Sequence, residues 1–316
     1  MHVVQVHHSR LPVAGYGGAQ RIVVWLAYGL AELGHDVTVV SAPGSVLPGL
    51  RCVAFGADVP SAATFDVRRL VSGPIDVLHF HAPPLSVPDI PWVHTLHGNM
   101  GPGRRTDAHA ICVSEDHARR HGTRSFVHNG VRLEEYRYQA AKGDFDLFMA
   151  RLHRVKGWRT AAAIARRCKI RLVLAGGWRP SLSRYVRFVG EVSGDRKRDL
   201  LARARCLWMP VSWDDPCPVN VLEAMASGTP VIGTPRGSLP ELIGAEGGGI
   251  GATEDALIAL RQRLDRWDPA AVRSRAERFF SHLRMARDYV RMYEHLLARG
   301  SLPPGRRADA DGQTTW

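Results

Sequence analysis

The chain has 316 residues, 45% of them hydrophobic, which is long enough for two domains with separate cores, and its five scattered cysteines exclude a disulfide framework or a C-x-x-C zinc site. A net charge of +12 admits an acidic substrate, a membrane surface or nucleic acid, but the arginines are dispersed and no basic tract with interleaved aromatics appears, which argues against nucleic acid. No apolar run reaches the roughly 18 residues that cross a bilayer, and the first residues read as a strand rather than a signal peptide, so the expectation is a soluble cytoplasmic protein.

Residues 2–5 are short, apolar and β-branched, the pattern of a buried parallel strand. A loop through Gly15-Tyr16-Gly17-Gly18 then leads into an amphipathic helix over 19–33, closed by Gly34. Such a glycine turn lets the backbone approach a phosphate or sugar, although the G-x-G-x-x-G fingerprint is missing and a tight turn without ligand is the alternative. Further strands are expected at 36–40, 76–80, 91–96 and 110–113. In open parallel sheets ligands bind outside the carboxyl ends of strands, which makes His97-Gly98-Asn99, Ser114 and Asn129-Gly130 candidates. His79, His81, His94 and His128 read as packing or surface histidines, since a metal site on these strands would lack matched carboxylates. Ser114 caps a helix that ends at Gly122, and the loss of periodicity over 132–143 marks an interdomain linker.

Strand pattern resumes over 146–150 and delivers Arg151 and Lys156, two cations suited to a diphosphate, or else a solvated basic turn. Lys156 is one of only four lysines, with Lys142, Lys169 and Lys197. Strands at 170–175 and 186–189 follow, then a helix over 194–205 and a strand over 206–210. Next comes Trp213-Asp214-Asp215-Pro216-Cys217-Pro218, an acidic loop before a helix over 219–227 that Pro218 opens and Gly228 and Pro230 stop. Its first N–H groups lack helical partners, so a ligand with hydroxyls and anionic oxygens fits there, with Asp215 at the mouth and Glu223 about two turns inside. Ser238 and Glu241 read as a capping box. Asp268-Pro269 starts another helix, the last helix covers 283–297 with a Met and Tyr stripe for the core, and 301–316 is expected to be disordered.

The stretch from Asp215 through Glu223 to Ala224-Met225-Ala226-Ser227-Gly228-Thr229-Pro230-Val231-Ile232 resembles the E-x7-E signature of the retaining, nucleotide-sugar-dependent glycosyltransferases of family 4, with Asp215 in place of the first glutamate. Gly17-Gly18-Ala19-Gln20-Arg21 before a helix ending Leu33-Gly34-His35 resembles the opening of the same family. The resemblance implies the GT-B fold: an α/β protein of two Rossmann-like, doubly wound parallel-sheet domains facing across a cleft. It implies an acceptor-side domain over 1–138 with a C-terminal helix over 282–298 crossing back to it, and a donor domain over 144–281.

The implied activity is retaining transfer of a sugar from a nucleotide-diphosphate-sugar to an acceptor hydroxyl, with no cofactor beyond that co-substrate and no metal. By resemblance Glu223 holds the donor ribose, Asp215 a sugar hydroxyl, Arg151 and Lys156 the diphosphate, and His97 lines the reaction centre. Gly17 and Gly18 close over the diphosphate, Glu191 and Val192 lie on the nucleobase side, and backbone around Cys217, Pro218 and Val219, with Leu222, meets the sugar. Aspartate is one methylene shorter than glutamate, so the hydroxyl comes closer, a water bridges, or the donor is a sugar with altered hydroxyls. The acceptor stays open among a carbohydrate, a lipid-linked glycan with peripheral membrane contact, and a natural product. A non-catalytic nucleotide-sugar-binding protein and an epimerase or phosphorylase of the same fold are the alternatives.

Overall fold

The computed structural model describes residues 1–13, 15, 17–55, 67–84, 86–101 and 103–307. They form two compact units, one of Met1–Gly130 with His282–Arg307 and one of Val131–Ser281. The boundary at residue 130 falls earlier than the linker expected over 132–143. That stretch belongs to the second unit because its polar side chains are anchored there: the Tyr136 hydroxyl donates to Glu223, and the Lys142 amine donates to the carbonyls of Ala202 and Ser227.

The first unit is built on strands β1 (His2–Val6), β2 (Asp36–Ser41), β3 (Arg51–Ala54), β4 (Val77–Phe80), β5 (Trp92–Leu96) and β6 (Ala110–Cys112). They lie in the order β3-β2-β1-β4-β5-β6, with all pairs parallel. Central strands are apolar almost throughout because both faces of a parallel sheet are covered. Several buried polar residues break this pattern, among them Gln5 on β1, Thr38 on β2, His79 on β4 and His94 and Thr95 on β5. Helix α1 (Gly18–Glu32) follows β1, and α2 (Glu115–Arg120) follows β6 with the Ser114 side chain accepting from the His117 N–H, as expected of its cap.

The second unit repeats the plan with β7 (Asp146–Met149), β8 (Leu172–Ala175), β9 (Val186–Phe188), β10 (Leu207–Met209), β11 (Val231–Gly233) and β12 (Gly248–Ile250). Their order is β12-β11-β10-β7-β8-β9, again parallel. Between them run α3 (Trp158–Arg167), α4 (Gly194–Arg203), α5 (Val219–Ala226) and α6 (Leu239–Gly247), and after β12 come α7 (Glu254–Arg261) and α8 (Pro269–Phe279). Among the described residues no helix is long and apolar enough to cross a membrane.

Helix α9 (His282–Arg299) belongs to the first unit and packs on α1. The Met and Tyr stripe is core as expected: Met285, Tyr289, Met292 and Tyr293 are all buried. The disorder expected after residue 300 does not hold for 301–307, while 308–316 lies outside the described residues. Composition misleads here because prolines lack a donor but keep an acceptor. The Pro303 carbonyl accepts from the Ser125 hydroxyl at 2.9 Å and that of Pro304 from the Arg291 guanidinium at 2.6 Å, while the Gly305 N–H donates to the Arg124 carbonyl.

Helices α1 and α9 approach closely at Gly29, where an added Cβ would lie 2.9 Å from both the Ala286 Cβ and the His282 carbonyl oxygen. Alanine in a helix is worth about 1 kcal/mol over glycine, whereas overfilling a packed contact costs about 1–3 kcal/mol. Gly29→Ala is therefore expected to lower the thermal unfolding midpoint, read by circular dichroism, despite its better helix propensity. An unchanged or raised midpoint would show that the two helices separate freely.

Candidate active site

In the second unit the sheet order reverses between β7 and β10: the chain leaves β7 towards β8 and leaves β10 towards β11. Diverging connections leave an opening at the carboxyl ends of those two strands, where ligands of such sheets bind. The loop after β7 carries Arg151 to Gly157, and the loop after β10 carries Trp213 to Pro218. They meet backbone to backbone. Gly157 has φ +80°, and a Cβ there would sit 1.9 Å from the Pro210 carbonyl oxygen, so only glycine fits. The Ser212 N–H donates to the Val155 carbonyl at 2.9 Å and locks the register of the two loops.

This contact sets Lys156 beside the acidic loop. Its ammonium donates to Asp215 Oδ2 at 2.5 Å and lies 4.6 Å from the centre of the Trp213 ring. The lysine assigned to a diphosphate and the carboxylate assigned to a sugar are thus an ion pair, with side chains 19% and 7% exposed. The Asp215 backbone is gripped from the next loop: its carbonyl accepts from both the N–H and the hydroxyl of Ser238, each at 3.0 Å. Gly237, at φ +54°, lies so close that a Cβ would come within 2.5 Å of the Asp215 nitrogen and oxygen. The capping box expected of Ser238 and Glu241 is accordingly not formed, because the Ser238 hydroxyl holds Asp215 and makes no cap bond to α6.

Glu223, on the second turn of α5, is fully buried. Its Oε1 accepts from the Tyr136 hydroxyl at 2.7 Å and from the Lys197 amine at 2.6 Å. Neither partner stands out in the sequence: Tyr136 falls in an apparent linker and Lys197 in a charged helix. The scarcity of lysine is the signal that could have found it, since Lys142, Lys156 and Lys197 all make specific, partly buried contacts. Burial holds the Lys142 amine down to about 8.

Asn220 ties the start of α5 to the end of β7 by donating to the Met149 carbonyl at 2.7 Å. Cys217, Pro218, Val219 and Leu222 are buried around that helix start. Arg151, at the carboxyl end of β7, is exposed, and its guanidinium makes no hydrogen bond or ion pair among the described residues. Glu191 is exposed and Val192 half-buried, following Gly190 at φ +76° past β9.

In the first unit the order reverses between β1 and β4, and histidines gather at the carboxyl ends there. His7 follows β1, His81 follows β4 and His97 follows β5. His97 Nε2 lies 3.0 Å from His81 Nδ1, and His81 Nε2 lies 2.9 Å from the Gln5 amide. His81, read from sequence as packing, is therefore the direct partner of the leading histidine candidate. The V-L-H-F-H spacing carried the signal, since residues two apart on a strand share a face. His79 makes a separate chain: Nδ1 meets the Tyr293 hydroxyl and Nε2 the Thr95 hydroxyl, both at 2.7 Å. Gly17 stands at the start of α1, its carbonyl accepting from the Arg21 N–H, and Gly18 is the first helical residue. Tyr16 of the same turn lies outside the described residues.

Residues 145–266 match the family model described as glycosyl transferases group 1. The chain is 30% identical to AviGT4, a glycosyltransferase involved in avilamycin A biosynthesis, over 96% of this chain and 99% of that one, with a TM-score of 0.77. The chain is a glycosyltransferase. A sucrose-phosphate synthase from Thermosynechococcus elongatus (18% identity, 94% and 99% covered, TM-score 0.69) shares the fold of this glycosyltransferase. So does HepE from Anabaena in complex with UDP-glucose (14% identity, 92% and 98% covered, TM-score 0.68). No match was found among curated proteins. The two parallel sheets are those of GT-B glycosyltransferases.

The histidines of the first unit are expected to make the glycosyltransferase acid-labile. Burial, reinforced by neighbouring histidines, pushes His7 and His117 down to about 4 and His97 to about 3, and holds His79 and His81 well below their ordinary value. The unfolded chain takes up protons near pH 6.5 while the folded one does not. The contribution of these histidines to stability is therefore full above pH 6.5 and is lost as pH falls towards 4. The urea midpoint is expected to be flat around pH 7, below the range in which Lys142 titrates, and to fall steeply from 6.5 to 4.5. A midpoint that stays level down to pH 5 would mean that the fold accepts these protons.

Proposed function

We propose that this glycosyltransferase moves a sugar from a nucleotide-diphosphate-sugar to an acceptor hydroxyl with retention at the anomeric carbon. The observation that carries this reading is the Lys156–Asp215 pair at the switch point of the second unit, beside the start of α5. An ammonium has three donors, so Lys156 can keep Asp215 and still donate to a diphosphate oxygen. The exposed guanidinium of Arg151 suits the same diphosphate in bidentate geometry. Together the two cations supply the charge that stabilises the departing diphosphate, so the reading needs no metal and no cofactor beyond the co-substrate. The complex of HepE with UDP-glucose supports a nucleotide-sugar as the donor.

The remaining donor contacts follow the family pattern. Asp215 Oδ1 accepts from a sugar hydroxyl, and backbone around Cys217, Pro218 and Val219, with Leu222, lines the sugar. Ribose hydroxyls take the place of a donor to Glu223, and Glu191 and Val192 border the base. In the first unit Gly17 and Gly18 receive the diphosphate and His97 faces the reacting sugar. Asp215 makes a poor covalent nucleophile, because one of its oxygens is engaged by an ammonium at 2.5 Å. The bond from the anomeric carbon to the diphosphate therefore breaks as the acceptor oxygen bonds on the same face, and the acceptor proton passes to the departing phosphate oxygen. A carbohydrate, a lipid-linked glycan reached by peripheral membrane contact, or a natural product all offer the hydroxyl required, and a cytoplasmic enzyme meets the donor where nucleotide-sugars are made.

A thermal-shift panel of UDP, GDP, ADP and dTDP tests the donor site. One nucleotide is expected to raise the melting temperature, since ligand at a hundred times its Kd adds about 2.7 kcal/mol. The rise is expected to shrink in Glu223→Gln, which keeps the packing but not the charge. Stabilisation by none of the four would remove the donor reading and favour a protein that binds something other than a nucleotide.

Asp215→Asn separates the sugar contact from the nucleotide contact. Turnover of the stabilising nucleotide's glucose conjugate is expected to fall by about 100-fold, the scale of losing one transition-state contact, while the nucleotide-induced shift persists. Equal loss of both would show that Asp215 serves the fold of the loop rather than the sugar.

A further inference from the structure

The hydrogen bonds behind His97 have a direction fixed by the backbone. The Gln5 side chain reaches α1 at Val23 and Ala27, the carbonyl and N–H that one helical bond would join. Its oxygen accepts from the Ala27 N–H at 3.2 Å and its nitrogen donates to the Val23 carbonyl at 3.2 Å. Neither backbone group can exchange roles, so the amide has a single orientation. Its nitrogen then faces His81 Nε2 at 2.9 Å, which must accept. A neutral imidazole that accepts at one nitrogen carries its proton on the other. His81 Nδ1–H therefore donates to His97 Nε2, 3.0 Å away. That leaves the proton of His97 on Nδ1, which makes no hydrogen bond among the described residues. Gln5, Val23 and Ala27 are fully buried and His81 nearly so, which limits competition from water for their bonds.

We propose that Gln5 and His81 are positioning residues that hold His97 as the Nδ1–H tautomer, so that it presents a hydrogen-bond donor, not an acceptor, at the carboxyl end of β5. The ligand group it meets is accordingly a lone-pair oxygen of the sugar or of the departing group. The inference rests on the reading of His97 as facing the reacting sugar, and it adds which atom acts and what sets it.

Two measurements test it. The first is a long-range proton–nitrogen spectrum of protein labelled with 15N-histidine, with His97 assigned through His97→Asn. A pyrrole-type Nδ1 and a pyridine-type Nε2 on His97 are expected, and the reverse pattern overturns the proposal. The second is nucleotide release from UDP-, GDP-, ADP- and dTDP-glucose by His81→Phe, His81→Gln, His97→Ala and the His81→Phe/His97→Ala double variant. His81→Phe is expected to lower kcat by about 10- to 100-fold, the usual loss when the group orienting a functional imidazole is removed, with the nucleotide-induced thermal shift retained. His81→Gln keeps a donor towards His97 and is expected to regain most of the turnover. The double variant should be no slower than His97→Ala, because the two residues act as one unit. Full turnover in His81→Phe beside an impaired His97→Ala overturns the positioning role alone. Full turnover in His97→Ala overturns the reading of His97 itself.

Discussion

The second unit depends on one close approach, the loop after β7 lying against the backbone of Pro210 at Gly157. With a Cβ at 1.9 Å from that carbonyl oxygen, no other residue permits the two loops to meet. Their strands are far apart in sequence but neighbours in the sheet, so strand pairing brings the two loops near and Gly157 lets them touch. Once it forms, the bond from Ser212 to Val155 fixes the register, and Lys156 has little choice but to lie over Trp213 against Asp215. Gly237 and Ser238 hold the other side of the acidic loop in the same way, by close approach and two hydrogen bonds. Glycine and backbone therefore shape the site, and the charged side chains take the positions left to them.

The first unit solves a different problem. Its sheet buries Gln5, His79 and His81, polar side chains whose desolvation costs several kcal/mol unless every donor and acceptor is met. They are met by one another and by α9: Tyr293 and Tyr289 bring their hydroxyls to His79 and Thr95 at 2.7 Å. The last helix thus does more than cover apolar surface, because it closes a buried network that would otherwise be half-satisfied. The same low-dielectric setting keeps the imidazoles neutral, which is what a directional relay of hydrogen bonds requires.

The sequence made the architecture legible wherever an element has its own periodicity. The helix over 19–33, the cap at Ser114, the helix after Asp268 and the paired motif around Glu223 all stand where their local signals put them. The strands β3 and β12 went unseen because each is a sheet edge with little apolar pattern, and β12 opens with Gly248-Gly249, residues that announce a turn. Gly248 is needed for another reason, since a Cβ there would strike the Val231 carbonyl. The partners of the site residues were hidden because they are distant in sequence: His81 meets His97 through the pairing of β4 with β5, and Tyr136 meets Glu223 across 87 residues, neither of which local pattern encodes. The 301–307 segment was misread because composition reports the donors prolines lack and not the carbonyls they offer.

The aspartate at position 215 gains a physical meaning from its surroundings. Its backbone is clamped by Ser238 and its reach is short, so Lys156 comes down to it and over the Trp213 face. A glutamate on the same clamped backbone would carry its carboxylate one methylene further, away from this seat. On the proposed reading, a sugar hydroxyl arriving here would meet not a lone carboxylate but an ion pair that both donates and accepts. One oxygen of Asp215 is occupied by the ammonium, which weakens it as an acceptor, while the ammonium keeps donors to spare. On the same reading, recognition would lean on the lysine as well as the carboxylate, and a donor sugar with fewer hydroxyls at this position would lose less than it would against a free carboxylate.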